Sequence, residues 1–351
     1  MATRPIFSKS YYLRKINKFF AKKFVILPHT NIIIPMPETK NEWFIIVNPH
    51  AGSGKTMQEW ALAEKKLCEL DVPYIASFTG YKAHAKELSY RAGADGYRRI
   101  VAVGGDGSVH EIFTGILQYC KDSGTPTEDF YMAVIPIGSG NDWIKSLNVP
   151  HDTLKVVDLI HSGSFIQEDI VEVSSGGNAS CCMANIGGVG FDSHVCVNVN
   201  AKKERGRRNK RIYVNALIRT LLTLRRINVE VIGDGDVFYS GPLYSLSMGN
   251  GKYSGGGMLQ TGVSELDDGL LDVLIVPVVS VFTIIKEVHR IFDGTTHNSP
   301  SLIYRRCRNL KVVPLDQKSE DAVEIDGEIE GRLPLEVNIP GNRINVLSGK
   351  F

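Results

Sequence analysis

The stretch Ile100-Val101-Ala102-Val103-Gly104-Gly105-Asp106-Gly107-Ser108-Val109-His110-Glu111-Ile112 decides the fold. Its first four residues form a short apolar run, the pattern of a strand buried on both faces. Gly104 to Gly107 end that run. Ser108 is placed to cap a helix whose first turn carries Glu111 and whose apolar face begins with Val109, Ile112 and Phe113. A buried strand, a glycine turn and a helix N-terminus make an anion site: glycines let the backbone approach a phosphate, and the free N–H groups of the first turn point at it. Asp106 is out of place in a site that only holds phosphate. It makes sense where a cation or a reacting hydroxyl is also present. The tetrapeptide reads equally well as a tight turn with a solvated Asp, so the rest of the chain decides.

Two more turns of this kind flank it. Trp43-Phe44-Ile45-Ile46-Val47 reads as a buried strand, followed by Asn48-Pro49-His50-Ala51-Gly52-Ser53-Gly54-Lys55. The ending Gly54-Lys55-Thr56 imitates a P-loop, but Pro49 stands where that motif needs its first glycine. Helix follows over about 57–70, with Trp60, Leu62, Ala63, Leu67 and Leu70, then a strand from Val72 to Thr79 and a helix over Ala83 to Ala92. After the central strand and a helix from about Val109 to Cys120, Tyr131 to Ile137 gives a further strand, ending in Gly138-Ser139-Gly140-Asn141-Asp142. Strand and helix alternate, and three polar glycine turns fall at strand ends. That predicts a doubly wound parallel sheet with its site at the carboxyl edge.

After about residue 150 the rhythm changes. Phe165–Val173, Ser180–Ile186, Asn228–Ile232, Leu243–Met248, Leu270–Val276, Leu310–Val313, Ala322–Ile325 and Leu335–Ile339 read as strands separated by turns such as Gly233-Asp234-Gly235-Asp236. This predicts an antiparallel β domain, sandwich or barrel. Helical stretches at roughly 211–226 and 280–292 interrupt it. The change of rhythm divides the chain into a basic extension over 1–40, an α/β domain over 41–148 and a β-rich domain over 149–340.

At 351 residues the chain has room for two domains, and 43% hydrophobic with 22% charged content is ordinary for a globular protein. The net charge of +2 hides two basic runs, 1–24 and 202–211, either of which suits an anionic membrane surface or phosphates as well as plain solvation. Tyr11 to Phe24 has the pattern of a basic amphipathic helix. No apolar run reaches the roughly 18 residues of a membrane span. Cys68, Cys120, Cys181, Cys182, Cys196 and Cys307 show no C-x-x-C pair. They are read as reduced thiols of a cytosolic protein, with neither disulfide nor zinc expected.

The ordered set now identifies a resemblance. Asn48-Pro49 with Gly52, Gly104-Gly105-Asp106-Gly107-Ser108 with Glu111, and Gly138-Ser139-Gly140-Asn141-Asp142 are followed by Gly190-Phe191-Asp192, Asp267-Asp268-Gly269-Leu270-Leu271-Asp272 and Asp326-Gly327-Glu328. The chain from about 42 onwards resembles the superfamily of diacylglycerol kinases and sphingosine kinases, and its layout is most similar to the soluble bacterial diacylglycerol kinases. Ser replaces the common Thr at 108 and 139, and His110 stands where many relatives have Asn. The resemblance implies an α/β domain like that of phosphofructokinases and NAD kinases, a following β domain, ATP in the cleft between them, and a chain end that returns to the first domain over Asn345 to Phe351.

It also implies roles. Asn48, Pro49, His50, Ala51 and Gly52, with Thr79, resemble contacts on the adenosine side. Gly104, Gly105, Asp106, Gly107, Ser108, Val109, His110 and Glu111 resemble the phosphate loop, and Ser139 a further nucleotide contact. Arg205 and Arg211 fall where relatives place phosphate-binding basic residues. Asp106 resembles the acid beside Mg·ATP, and Asp326 and Glu328 the late acidic pair, with Glu328 as general base. Asp192 resembles a group that orients the substrate. Asp268, with the main chain of Glu265 and Leu270, resembles a structural Mg²⁺ site, although a polar hairpin turn explains the segment nearly as well. The implied activity is transfer of the ATP γ-phosphate to a lipid hydroxyl, most naturally diacylglycerol giving phosphatidic acid. Sphingoid bases, other lipid alcohols and a non-catalytic nucleotide sensor are the alternatives. The partners expected are ATP, Mg²⁺ and a lipid reached from the membrane surface. A homodimer is left open and no nucleic acid is expected. The implied location is cytoplasmic with peripheral membrane association.

Overall fold

A computed structural model describes residues 24–26, 33–35, 39–138, 141–178, 180–190, 225–316 and 321–349. The basic helix expected over Tyr11 to Phe24, apart from Phe24 itself, which begins a strand, and most of the helix expected over 211–226 lie outside these residues. Met1–Glu38 forms a unit of its own. It contains an antiparallel pair, β1 (Phe24–Ile26) and β2 (Ile33–Pro35). Thr39–Phe351 forms the second, compact unit.

The apolar runs that lack alternation become the buried strands of a six-stranded sheet. These are β3 (Lys40–Val47), β4 (Tyr74–Phe78), β5 (Tyr97–Gly104) and β6 (Tyr131–Pro136). The order is β4-β3-β5-β6, all parallel, completed by β19 (Arg343–Leu347) and β7 (Phe165–Asp169). β19 runs parallel to β6, and β7 antiparallel to β19. Helices cover the sheet: α1 (Thr56–Glu69), α2 (His84–Ala94), α3 (Asp106–Ser123) and α5 (Thr153–Ser162), with the single turn α4 (Trp143–Ser146) between the last two. α1 buries Trp60, Ala63 and Leu67 at helical spacing, while Leu62 points outward.

The second sheet is antiparallel and has eleven strands, with the main order β17-β16-β10-β12-β11-β15-β18-β8-β9. These are β8 (Val171–Ser175), β9 (Cys181–Met183), β10 (Ile186–Gly190), β11 (Ile227–Gly233), β12 (Asp236–Gly249), β15 (Asn309–Pro314), β16 (Ala322–Ile325), β17 (Glu328–Arg332) and β18 (Leu335–Asn338). β13 (Leu271–Pro277) pairs with β12, and β14 (Ile303–Cys307) with β13. β12 makes the corner. Residues 236–243 pair with β11, whereas 245–249 pair with β10 and 243–249 with β13. One strand thus serves two layers, as in a sandwich that is nearly a barrel. Alternating burial in β11 and β18 gives this sheet its own core, which includes Val229, Val231, Leu246, Val312 and Leu335.

Four sequence expectations need correction. The helix after the central strand starts at Asp106, with Gly105 as its N-cap, so Ser108 lies inside the first turn and caps nothing. The strand expected over 165–173 is two strands in different sheets, broken at Ile170, whose N–H bonds to the Asn342 carbonyl of the returning chain end. The strand expected over 180–186 divides into β9 and β10. The helix expected over 280–292 is two short ones, Val281–Glu287 and Arg290–Asp293.

Candidate active site

The parallel ladder continues past the strand ends and draws the turns together. Thr79 N–H donates to the Val47 carbonyl (2.9 Å), Asn48 N–H to that of Val103 (3.0 Å) and Ile137 N–H to that of Gly104 (2.8 Å). The turns then meet closely. Gly52, at φ +55°, faces Ile137 so tightly that a Cβ would overlap its side chain, and a Cβ on Gly104 would overlap Ser108 Oγ. A Cβ on Gly105 would stand 3.2 Å from Asn141 Oδ1, a buried oxygen without a hydrogen-bond partner among the described residues. Asn48 ties two turns together: Oδ1 accepts from His50 N–H (3.0 Å), and Nδ2 donates to Ser108 Oγ (3.2 Å).

α3 starts in this nest, so the N–H groups of Asp106 and Gly107 have no acceptor within their own helix. Asp106 Oδ2 accepts from Asp142 N–H (2.8 Å), and Oδ1 from Trp143 N–H (3.4 Å). Burial pushes its pKa up to about 7; the Asp142 and Asp326 carboxylates add to this, and the two N–H donors oppose it. A carboxyl crowded by two other acids is a fit place for a divalent cation, whose charge would reverse that balance.

The second sheet brings its acids to the same place. Asp326, at φ +52° in the β16–β17 turn, is pinned: Oδ1 accepts from Asn185 N–H (2.8 Å), and Oδ2 from Ala184 N–H (2.9 Å). His110 Nδ1, from α3, lies 3.1 Å from that same Oδ2, and His110 Nε2 lies 3.4 Å from Glu330 Oε1. Burial works against charge on His110, but its bonds to Asp326 and Glu330 prevail and raise its pKa to about 10. Glu328 Oε1 lies 3.5 Å from the position a Cβ on Gly107 would take, over the start of α3. Its other oxygen accepts from Lys82 Nζ (3.0 Å). The bond to Glu328 in turn raises the Lys82 pKa above its ordinary value.

The structure therefore brings together Asn48, the 104–108 turn, His110, Asp326 and Glu328, with Thr79 at the neighbouring strand end. Pro49, His50 and Ala51 line the first turn, and Val109 is buried behind the second. Glu111 is engaged elsewhere, because its two oxygens accept from the N–H groups of Ala83 (2.9 Å) and Ala85 (3.1 Å) at the start of α2. Ser139, Asp192, Arg205 and Arg211 lie outside the described residues. Asp268 and Leu270 belong to a separate network. Asp268 Oδ1 accepts from Leu270 N–H (3.0 Å) and Oδ2 pairs with the Arg306 guanidinium, which also reaches Asp272 at 3.0 Å, while Glu265 is exposed. The Arg306 guanidinium thus supplies the positive charge beside Asp268 in this structure.

Sequence reasoning missed Lys82, Glu330 and Asp142. Lys82 had a readable signal, since it follows Thr79 at the same sheet edge. Asp142 was quoted only as part of a turn, yet its buried carboxylate accepts from Gly256 N–H (2.7 Å) and holds Lys145.

The diacylglycerol kinase catalytic domain family matches residues 42–173, and the YegS C-terminal NAD kinase beta sandwich-like domain family matches 185–348. A probable lipid kinase YegS-like protein of Xanthomonas campestris is 26% identical over 238 residues, covering 68% of this chain and 74% of its own. A diacylglycerol kinase of Staphylococcus carnosus is 25% identical over 292 residues, covering 83% and 89%. A crystal structure of a diacylglycerol kinase from Bacillus anthracis matches with a TM-score of 0.69 at 20% identity, over 88% of this chain and 97% of that one, a likeness of fold. The two domain families follow each other along the chain as the two sheets do, and the chain belongs to the diacylglycerol kinase and YegS superfamily of lipid kinases.

Proposed function

We propose that this lipid kinase transfers the γ-phosphate of ATP to the free hydroxyl of diacylglycerol, giving phosphatidic acid, with Glu328 as general base. The observation that carries this reading is the stand of Glu328 over Gly107, where an acid from one sheet meets the phosphate-binding helix start of the other. In-line transfer needs an alcohol, a phosphate and a proton acceptor held together, with positive charge over the phosphate oxygens. The turn amides of Gly105 to Gly107 bind phosphate oxygens. Glu328 takes the hydroxyl proton as the new O–P bond forms and the bond to ADP breaks. Lys82 neutralises Glu328 in the free enzyme; arriving phosphate oxygens compete for the ammonium and release the carboxylate to act as base. Asp326, held by two backbone N–H groups and His110, fixes the turn from which Glu328 projects. Asp106 would hold Mg²⁺, which when bound draws charge from the γ-phosphate and the leaving oxygen. In this reading the lipid is met at the membrane surface; no described helix is long and apolar enough to cross a bilayer.

The test is transfer from labelled Mg·ATP to diacylglycerol, a sphingoid base and other lipid alcohols in mixed micelles. Labelled phosphatidic acid is expected, with Glu328→Gln lowering kcat by about 10²–10⁴ and leaving ATP binding in place. Label on a different lipid would overturn the acceptor, and ATP binding without any labelled lipid would overturn the kinase reading of this site.

A further inference from the structure

β17 carries a second acid on the same face as Glu328, two residues on. Glu330 Oε1 lies 3.4 Å from His110 Nε2, and Cys181 Sγ joins them: the three donor atoms all lie within 4.8 Å of one another. The residues come from α3, β9 and β17, so nothing in the cysteine spacing announces the group. From this cluster we propose a binding site for a thiophilic divalent cation, zinc foremost, ligated by His110 Nε2, Cys181 Sγ and the Glu330 carboxylate.

The donor set combines an imidazole, a thiol and a carboxylate, a mixture that suits tetrahedral zinc and not the oxygen-seeking Mg²⁺ of the phosphate site. Zinc–nitrogen and zinc–oxygen bonds of about 2.0–2.2 Å at a tetrahedral angle separate the two ligand atoms by about 3.3–3.5 Å, which is the spacing His110 and Glu330 already have. His110 also has the outer partner that zinc-bound histidines use. Its Nδ1 faces Asp326 Oδ2 at 3.1 Å, and Asp326 is itself fixed by Ala184 and Asn185 N–H, so Nε2 is aimed at the other two donors. β9 is held against α3 independently, because Cys182 N–H donates to Thr114 Oγ1 at 3.1 Å. His110 and Cys181 are buried, while the Glu330 side chain is 30% exposed and opens the route in. On binding, the thiol proton and the Nε2 proton leave to solvent as the S–metal and N–metal bonds form. The cation then ties α3, which begins with the phosphate turn, to the strand that carries Glu328.

The test is titration of the metal-free full-length protein with Co²⁺, following the thiolate-to-cobalt charge-transfer absorption, then displacement by Zn²⁺. One equivalent with a thiolate band is expected. Cys181→Ser should abolish the band. Glu330→Gln should keep it while weakening affinity at least about 10-fold, since even outer partners of zinc ligands are worth 10- to 100-fold. Zn²⁺ should raise the Tm of the wild type, raise that of Glu330→Gln only at correspondingly higher concentration, and leave that of Cys181→Ser unchanged. If Cys181→Ser does not fold, Glu330→Gln, at a side chain only 30% exposed but at the mouth of the site, carries the comparison. No thiolate band in the wild type, a band that survives Cys181→Ser, or Zn²⁺ displaced by Mg²⁺ would each overturn the site; the last would put the ion at Asp106. None of these readouts depends on which lipid is phosphorylated.

Discussion

Asp106 holds its place at a cost. Burial and the neighbouring Asp142 and Asp326 carboxylates raise its pKa to about 7, against the pull of two backbone N–H donors. The native state therefore keeps this proton to a higher pH than the unfolded chain, which releases it near the ordinary carboxylate value of about 3.9. The stability this group contributes is complete below about pH 4 and is lost as pH rises towards 7, a change of roughly 4 kcal/mol in all. Other carboxylates titrate in that range too, so the clean measure is a difference. Without nucleotide or metal, Asp106→Asn should match the wild-type Tm near pH 4 and exceed it increasingly up to pH 7.5, although it loses activity. A Tm difference that stays flat with pH would show that Asp106 carries no such burden. Asp106 was legible in the sequence because its glycines are its chain neighbours. The partners of His110 and Glu328 were not. Asp326 is 216 residues from His110, and Lys82 is 246 residues from Glu328, so only the fold gives them an address.

At the scale of elements, α2 depends on a residue that the motif reading assigned to nucleotide. Its N-cap, Ala83, is left-handed at φ +65° and has no side chain to cap with, and the Glu111 carboxylate from α3 takes that part. Glu111→Ala should cost about 0.5–2 kcal/mol in urea unfolding, the range for a lost cap, with only a secondary change in the KM for ATP. Unchanged stability with a large rise in KM would make Glu111 a nucleotide contact instead. The parallel strands were legible from their unbroken apolar runs, and most of the antiparallel ones from alternation. β14 and β17 escaped because they are edge strands, where Tyr304-Arg305-Arg306 and Glu328-Ile329-Glu330 carry the charge that edges tolerate. α5 escaped because Val156 and Val157 weaken its helical signal. Its caps were readable all the same, since Asp152 accepts from Lys155 N–H (2.9 Å) and Gly163 ends the helix left-handed.

At the scale of the whole molecule, two kinds of sheet were foreseeable from the change of rhythm near residue 150, but not how firmly they are joined. Phe165–Asp169 and Val171–Ser175 are one chain segment serving two sheets through a single residue, Ile170. The same junction buries Glu168, whose carboxyl takes the Trp143 indole N–H (3.1 Å) from α4 and the Asn250 amide (3.4 Å) from the end of β12; burial above all holds its pKa well above the ordinary value. β19 closes the arrangement. It fills the gap between β6 and β7 with Ile344, Val346 and Leu347 fully buried, and Arg343 Nε reaches Asp169 at 2.9 Å. Removing it would leave β7 without a partner, turn β6 into an open edge and strip the support from the segment that leads into β8. We therefore expect the compact unit to unfold in one step, with ellipticity and tryptophan fluorescence changing together and the calorimetric enthalpy equal to the van't Hoff value. A chain ending at Gly341 should show no cooperative transition from either sheet. Should that truncated chain retain a sharp melt with β-sheet ellipticity, the antiparallel sheet would be an independent folding unit. The meeting of Glu328 with the Gly107 turn would then depend on two bodies finding each other, not on one fold holding both.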